Sequence, residues 1–173
     1  MPHRDDHPDW RSLLRTHGPA LVLLARQRGL PAADAEDVVQ EAFINLWKKA
    51  DEGSPVRDHA AYLFACVRHG ALDCVRGQSR RRQRETSAAQ DSAETIDLLF
   101  ENNAEQEELA ARVQVLLHDL PDEQREVVVM KVWGGLTFAQ IAEATEQSPH
   151  TVASRYRYAL AAMRGLLATE MQT

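Results

Sequence analysis

Val38, Val39, Ala42, Phe43, Leu46 and Trp47 fall on one stripe when the segment from Asp34 onward is wound at helical period. The same spacing governs Trp10, Leu13, Leu14, Leu21, Val22 and Leu24 before it, the run from about His59 to Arg76 after it, and Leu109, Val113, Leu116, Leu117 and Leu120 further on. Nothing between them carries the period-two alternation of a half-buried strand. A chain patterned like this has to bury one stripe per helix against its neighbours, so the expected fold class is all-α.

Punctuation divides the helices into two groups. Gly29 and Pro31 interrupt the first two, with Asp34 the expected cap of the second, and "DEGSPVRDH" reads as a loop before the third, which runs into the arginines of "RRRQR". From Glu85 the periodicity lapses into "ETSAAQDSAETIDLLFENNA". The chain is therefore expected to hold an N-terminal helical domain over 1–84, an acidic linker over 85–105 and a C-terminal domain over 106–173. Within the linker, "IDLLF" reads as a helical turn that packs on a neighbouring domain or as a docking patch. In the last part, Pro121 stops one helix, Gly134 and Gly135 close the next, Thr137 and Gln140 stand in capping-box relation, and Ser148 with Pro149 opens a longer helix. A short helix, a tight polar connection and a longer capped helix make a helix-turn-helix.

The formal charge of −6 conceals a pattern. Residues 1–84 sum to +3, residues 85–111 to −8 with no lysine or arginine at all, and residues 112–173 to −1. The negative charge is concentrated in the middle, which leaves both ends free to approach phosphate. The N-terminus lacks the apolar run of a signal peptide, and no apolar stretch approaches the roughly 18 residues of a membrane span, so a cytoplasmic location without membrane contact is expected. Cys66 and Cys74 are the only cysteines. On one helix they lie about 12 Å apart, too far for a disulfide. With His69 and Asp73 they share one helix face, but a zinc site usually draws ligands from several elements, so two thiols on a core stripe is the favoured reading and no metal or cofactor is expected.

In the last helix Val152, Tyr156, Ala159, Met163 and Leu167 form the core stripe, which leaves His150, Thr151, Ser154, Arg155, Arg157 and Tyr158 on other faces. The N-terminal turns of such a helix enter the major groove, where arginine binds guanine and hydroxyls reach phosphate or base edges. A helix-turn-helix alone does not separate a repressor from a polymerase subunit.

The first half discriminates. "DAEDVVQEAFINLW" turns Asp37, Gln40, Glu41 and Asn45 outward, with Asp34 at its start, and resembles region 2.2 of bacterial RNA polymerase sigma factors of the extracytoplasmic-function (ECF) type. "AYLFACVRHGALDCVR" resembles that family's promoter-melting helix, with Tyr62 at the aromatic position, Arg68 and Arg76 at the arginines, Asp73 at the aspartate and His69 in place of asparagine. "LPDEQREVVVMKVWGGLTFAQIAEATEQSPHTVASRYRYALAAMR" is similar to its minus-thirty-five reader, although Ala153, Tyr158 and Leu160 stand where basic residues are usual and Gln140 replaces a glutamate.

The resemblance implies a non-catalytic initiation factor. Asp34, Asp37, Gln40, Glu41 and Asn45 would bind core RNA polymerase at the clamp coiled coil of its largest subunit, and the C-terminal domain would meet the flap. Arg57, Tyr62, Arg68, His69, Asp73, Arg76 and Arg80 would hold unstacked minus-ten bases, a task suited to aromatic stacking and cationic backbone contacts, with Arg81, Arg82 and Arg84 as further candidates and Phe64 standing equally as a base-stacking or a core residue. Promoter DNA and an anti-sigma factor complete the implied partners. The missing basic residues imply weak DNA binding by the isolated reader. Two promoter elements about 50–60 Å apart along B-DNA have to be bridged in part by the two domains themselves and in part by a stretched linker. The rivals are a stand-alone two-domain regulator of duplex DNA and a metal-dependent hydrolase; for the second, neither a nucleophile nor a Gly-rich phosphate loop is present.

Overall fold

The computed structural model describes residues 8–54, 56–82 and 104–170. Among them are seven α-helices and no strand: α1 Trp10–Gln27, α2 Ala32–Asp51, α3 His59–Arg82, α4 Ala104–His118, α5 Asp122–Val132, α6 Phe138–Thr145 and α7 Pro149–Glu170. The stretch expected to be linker, "IDLLF" included, lies outside the described residues for nearly all its length, as does Arg84.

Local chemistry sets the helix ends. Asp9 caps α1 by accepting from the Ser12 N–H at 3.1 Å, and Asp58 does the same for α3 through the Ala61 N–H at 2.9 Å. Helix α2 begins at Ala32 behind Pro31, so Asp34 is not its cap; it sits inside the first turn, where its charge faces the positive end of the helix dipole. Thr137 and Gln140 form the full capping box of α6, each side chain meeting the other's backbone N–H. Ser148 accepts from the Thr151 N–H at 3.1 Å as α7 starts.

Helices α1, α2 and α3 pack as a bundle around Leu21, Leu24, Val39, Leu46, Leu63 and Val67. Helices α5, α6 and α7 enclose Val127, Met130, Ile141, Val152 and Ala159, and α4 rests on α7. The stripe Val152, Tyr156, Ala159, Met163 and Leu167 of α7 is buried or half-buried as its spacing predicts.

The two groups do not stand apart: α1 lies on α5, α3 on α6, and the buried side chains form one continuous core. Phe64 is fully buried at this seam, the core alternative of its two readings. Its ring meets His17 edge-on at 5.9 Å. Gly134 makes the approach possible, since a Cβ there would lie 2.8 Å from the Phe64 ring and 2.5 Å from the Met130 carbonyl. Arg125 fastens the ends of α4 and α1 to α5, donating to the carbonyls of Leu117 at 2.7 Å, Leu120 at 2.8 Å, His118 at 2.9 Å and Gln27 at 2.9 Å. One guanidinium thereby engages four carbonyls near helix ends, where intrahelical donors run out.

Candidate protein and nucleic-acid interfaces

Helix α2 presents two adjoining surfaces. Asp34, Asp37, Glu41 and Asn45 recur at three- and four-residue steps, so they share one face; Asp37, Gln40 and Glu41 are exposed and Asn45 half-exposed. Asp34 is partly occupied, accepting from the Gln78 amide at 2.6 Å and so tying α2 to the end of α3.

Beside this polar stripe runs an apolar groove between α1 and α2, lined by Trp10, Leu14, Val39, Gln40, Phe43, Ile44 and Trp47. Leu14, Ile44 and Trp47 leave 55%, 47% and 51% of their surfaces in solvent. Trp47 was expected in the core stripe; it sits at the stripe's edge and completes the rim of the groove instead. Gln40 belongs to both surfaces, which makes stripe and groove one contiguous patch. Ile44 and Leu14 were missed as site residues, because periodicity marks a position as apolar without saying whether anything covers it.

Helix α3 carries the second set. Tyr62, His69, Asp73, Arg76 and Arg80 recur along one flank; His69, Asp73, Arg76 and Arg80 are exposed, and Arg57 is exposed in the loop before the helix. Arg76 and Asp73 pair across solvent at 3.8 Å, an interaction worth little in water. Tyr62 is half-buried under the Lys49 ammonium, 5.8 Å from its ring centroid. Burial, and then a hydrogen bond with Cys66, pushes its phenol up to about 12, so it presents a neutral ring. Burial likewise raises the Cys66 and Cys74 thiols, which holds both in the unreactive protonated form.

Arg68 departs from this flank. It turns into the seam and its Nε donates to both oxygens of Glu126 on α5 at 3.1 Å. His69 reaches toward Glu146 at the end of α6, 3.7 Å away. Asp58, having capped α3 with one oxygen, accepts from the Gln140 amide of α6 at 2.7 Å with the other.

On α7 the positions His150, Arg157 and Tyr158 are exposed and Thr151 and Ser154 half-exposed. Arg157 donates to the Ser154 hydroxyl at 3.2 Å. Arg155 is committed within its own domain, pairing with Glu123 of α5 at 2.6 Å. Glu146 closes α6 at φ 57°, a left-handed position that asparagine or glycine would fill with less strain, and it sets the turn between the two reading helices. Among the described residues no helix is long and apolar enough to cross a membrane.

Comparison with known proteins follows this division. A model described as Sigma-70 region 2 matches residues 13–81, and one described as Sigma-70, region 4 matches residues 110–163. The chain is 28% identical over 141 residues to the ECF RNA polymerase sigma factor SigK of Mycobacterium ulcerans, covering 79% of this chain and 73% of that protein. It is 28% identical over 161 residues to the RNA polymerase sigma factor NccH of Alcaligenes xylosoxydans xylosoxydans, covering 90% and 84%. Among solved structures, CnrH in complex with the cytosolic domain of CnrY aligns with a TM-score of 0.62 at 28% identity, over 92% of this chain and 87% of that one. The sigma factor RpoE from Bartonella quintana, solved with the anti-sigma factor NepR, shares the fold with a TM-score of 0.70 at 22% identity, over 92% and 97%.

Proposed function

Because the chain belongs to the sigma-70 family, in its ECF class, and so directs promoter-specific initiation of transcription, we propose that it works through three surfaces. The stripe of Asp34, Asp37, Gln40, Glu41 and Asn45, together with the groove of Leu14, Ile44 and Trp47, docks on the clamp coiled coil of core polymerase. The flank of α3 from Arg57 through Tyr62 to Arg80 holds unstacked minus-ten bases. His150, Thr151, Ser154, Arg157 and Tyr158 address the minus-thirty-five element, with Arg155 orienting α7 through Glu123, while the C-terminal domain meets the polymerase flap. The domains take the bounds 1–84 and 106–173 with an acidic linker between. The chain works in the cytoplasm, carries no catalysis of its own, and is held in check by an anti-sigma factor, as the complexes of its structural relatives suggest.

One observation carries this reading: two family segments occupy the two halves of one chain, and the first bears an acidic stripe contiguous with an uncovered apolar groove. An interface needs such an apolar centre with a polar margin. A globule of this length is about 40 Å across, short of the roughly 50–60 Å between promoter elements, so the packed halves must part on the promoter. Replacing Asp37 and Glu41 by lysine is expected to abolish capture by core polymerase while leaving the helical content unchanged. Undiminished capture by the doubly reversed chain would refute the assignment of the stripe.

A further inference from the structure

Glu126 is 4% exposed and lies where α1, α3 and α5 converge. Arg28, the residue that ends α1, donates to Glu126 Oε1 through one terminal nitrogen, while its other terminal nitrogen lies 3.4 Å from Asp122 Oδ2 at the rim. Arg68 adds a bifurcated contact from α3, its Nε–H shared between both oxygens of Glu126. Both guanidiniums are largely withdrawn from water, with side-chain exposures of 12% and 20%. The Arg28 Nε–H is buried and has no acceptor. Two arginines from the N-terminal bundle thus meet one carboxylate from the C-terminal one, and a third donor beside them goes unused.

Removal of α5 leaves two guanidiniums side by side without a counter-charge, one of them on the helix that faces melted DNA. The planar fork of arginine fits phosphate as well as it fits carboxylate. We propose that Arg28 and Arg68 form a seat for a backbone phosphate of nucleic acid, and that Glu126 occupies this seat in the closed chain as a phosphate mimic. Closure and DNA contact then exclude one another at one site, and separation of the two halves exposes the seat where the promoter is opened. This rests on the reading of α3 as the DNA-facing helix.

The test uses the full chain, a fluorescein-labelled single-stranded DNA of mixed sequence, and a salt titration. Glu126→Gln removes the mimic's charge and is expected to raise affinity for the oligonucleotide about tenfold, the scale of one charge-assisted hydrogen bond, with a salt slope steeper by about 0.7 for each phosphate engaged. Adding Arg28→Gln to that chain is expected to cancel the gain. Asp122→Asn, at the exposed rim, is expected to change affinity less than threefold. Should Glu126→Gln fail to fold by circular dichroism, Glu126→Asp withdraws the carboxylate by one methylene and reads the same effect in smaller measure. A folded Glu126 variant with no gain, or a gain that survives loss of Arg28, overturns the seat. Failure of the family reading would register separately, as absent promoter-dependent transcription by the unaltered chain.

Discussion

Trp47 leaves 51% of its surface in solvent, so a Trp47→Ala chain gives up only part of its packing but much of its capacity to dock. A tryptophan side chain carries up to about 250 Å², which puts about 125 Å² on the rim of the groove. At about 25 cal/mol per Å², covering that area contributes about 3 kcal/mol; after allowing for the alanine methyl and imperfect coverage, about 2 kcal/mol remains. This corresponds to about a thirtyfold weaker complex with core polymerase. Fluorescence anisotropy of labelled protein titrated with core enzyme measures the change, and urea denaturation of the same variant separates binding from folding. A complex weakened less than threefold in a chain that folds normally would show that the groove is not part of the docking surface.

Three further outcomes follow from the packing. Phe64→Ala, at a fully buried ring in the seam, is expected to lower stability by about 3–5 kcal/mol in urea denaturation. Glu146→Gly relieves a left-handed backbone position and is expected to raise stability by about 0.5–1 kcal/mol, a net of strain removed over entropy added; a loss of that size would mean that the side chain's approach to His69 outweighs the strain. His17 is held below its ordinary pKa, mainly by burial against the opposing influence of the Gly134 carbonyl and Asp58. The unfolded chain therefore takes up the proton first, so the neutral imidazole's contribution is complete above about pH 6.5 and is lost as pH falls from there through the lowered pKa of the folded chain; thermal unfolding between pH 7.5 and 5.5 should show a decline that flattens in His17→Phe.

The helices, and the caps of α6 and α7, were legible because local spacing and local hydrogen bonds decide them. Thr137 with Gln140, and Ser148 with Pro149, need no partner further away than three residues. The seam was not legible for the opposite reason. Glu126 sits in "DEQREVVVMK" among charges that ordinarily face water, and its partners Arg28 and Arg68 lie 98 and 58 residues away; nothing local marks a carboxylate that tertiary packing will bury. The polar stripe of α2 could be read from spacing, whereas the groove beside it could not, since Ile44 and Trp47 are told from core residues only by what fails to cover them. Asp34 misled for a simpler reason: acidic residues favour both the cap and the first turn of a helix, and Pro31 had already fixed the start.

Run-off transcription with purified core polymerase over a library of fragments from the source genome bears most directly on the central claim. Addition of the chain is expected to yield discrete promoter-dependent transcripts, which vanish when Asp37 and Glu41 are both replaced by lysine. Folded protein that binds no core enzyme at low salt and initiates from no fragment would contradict it.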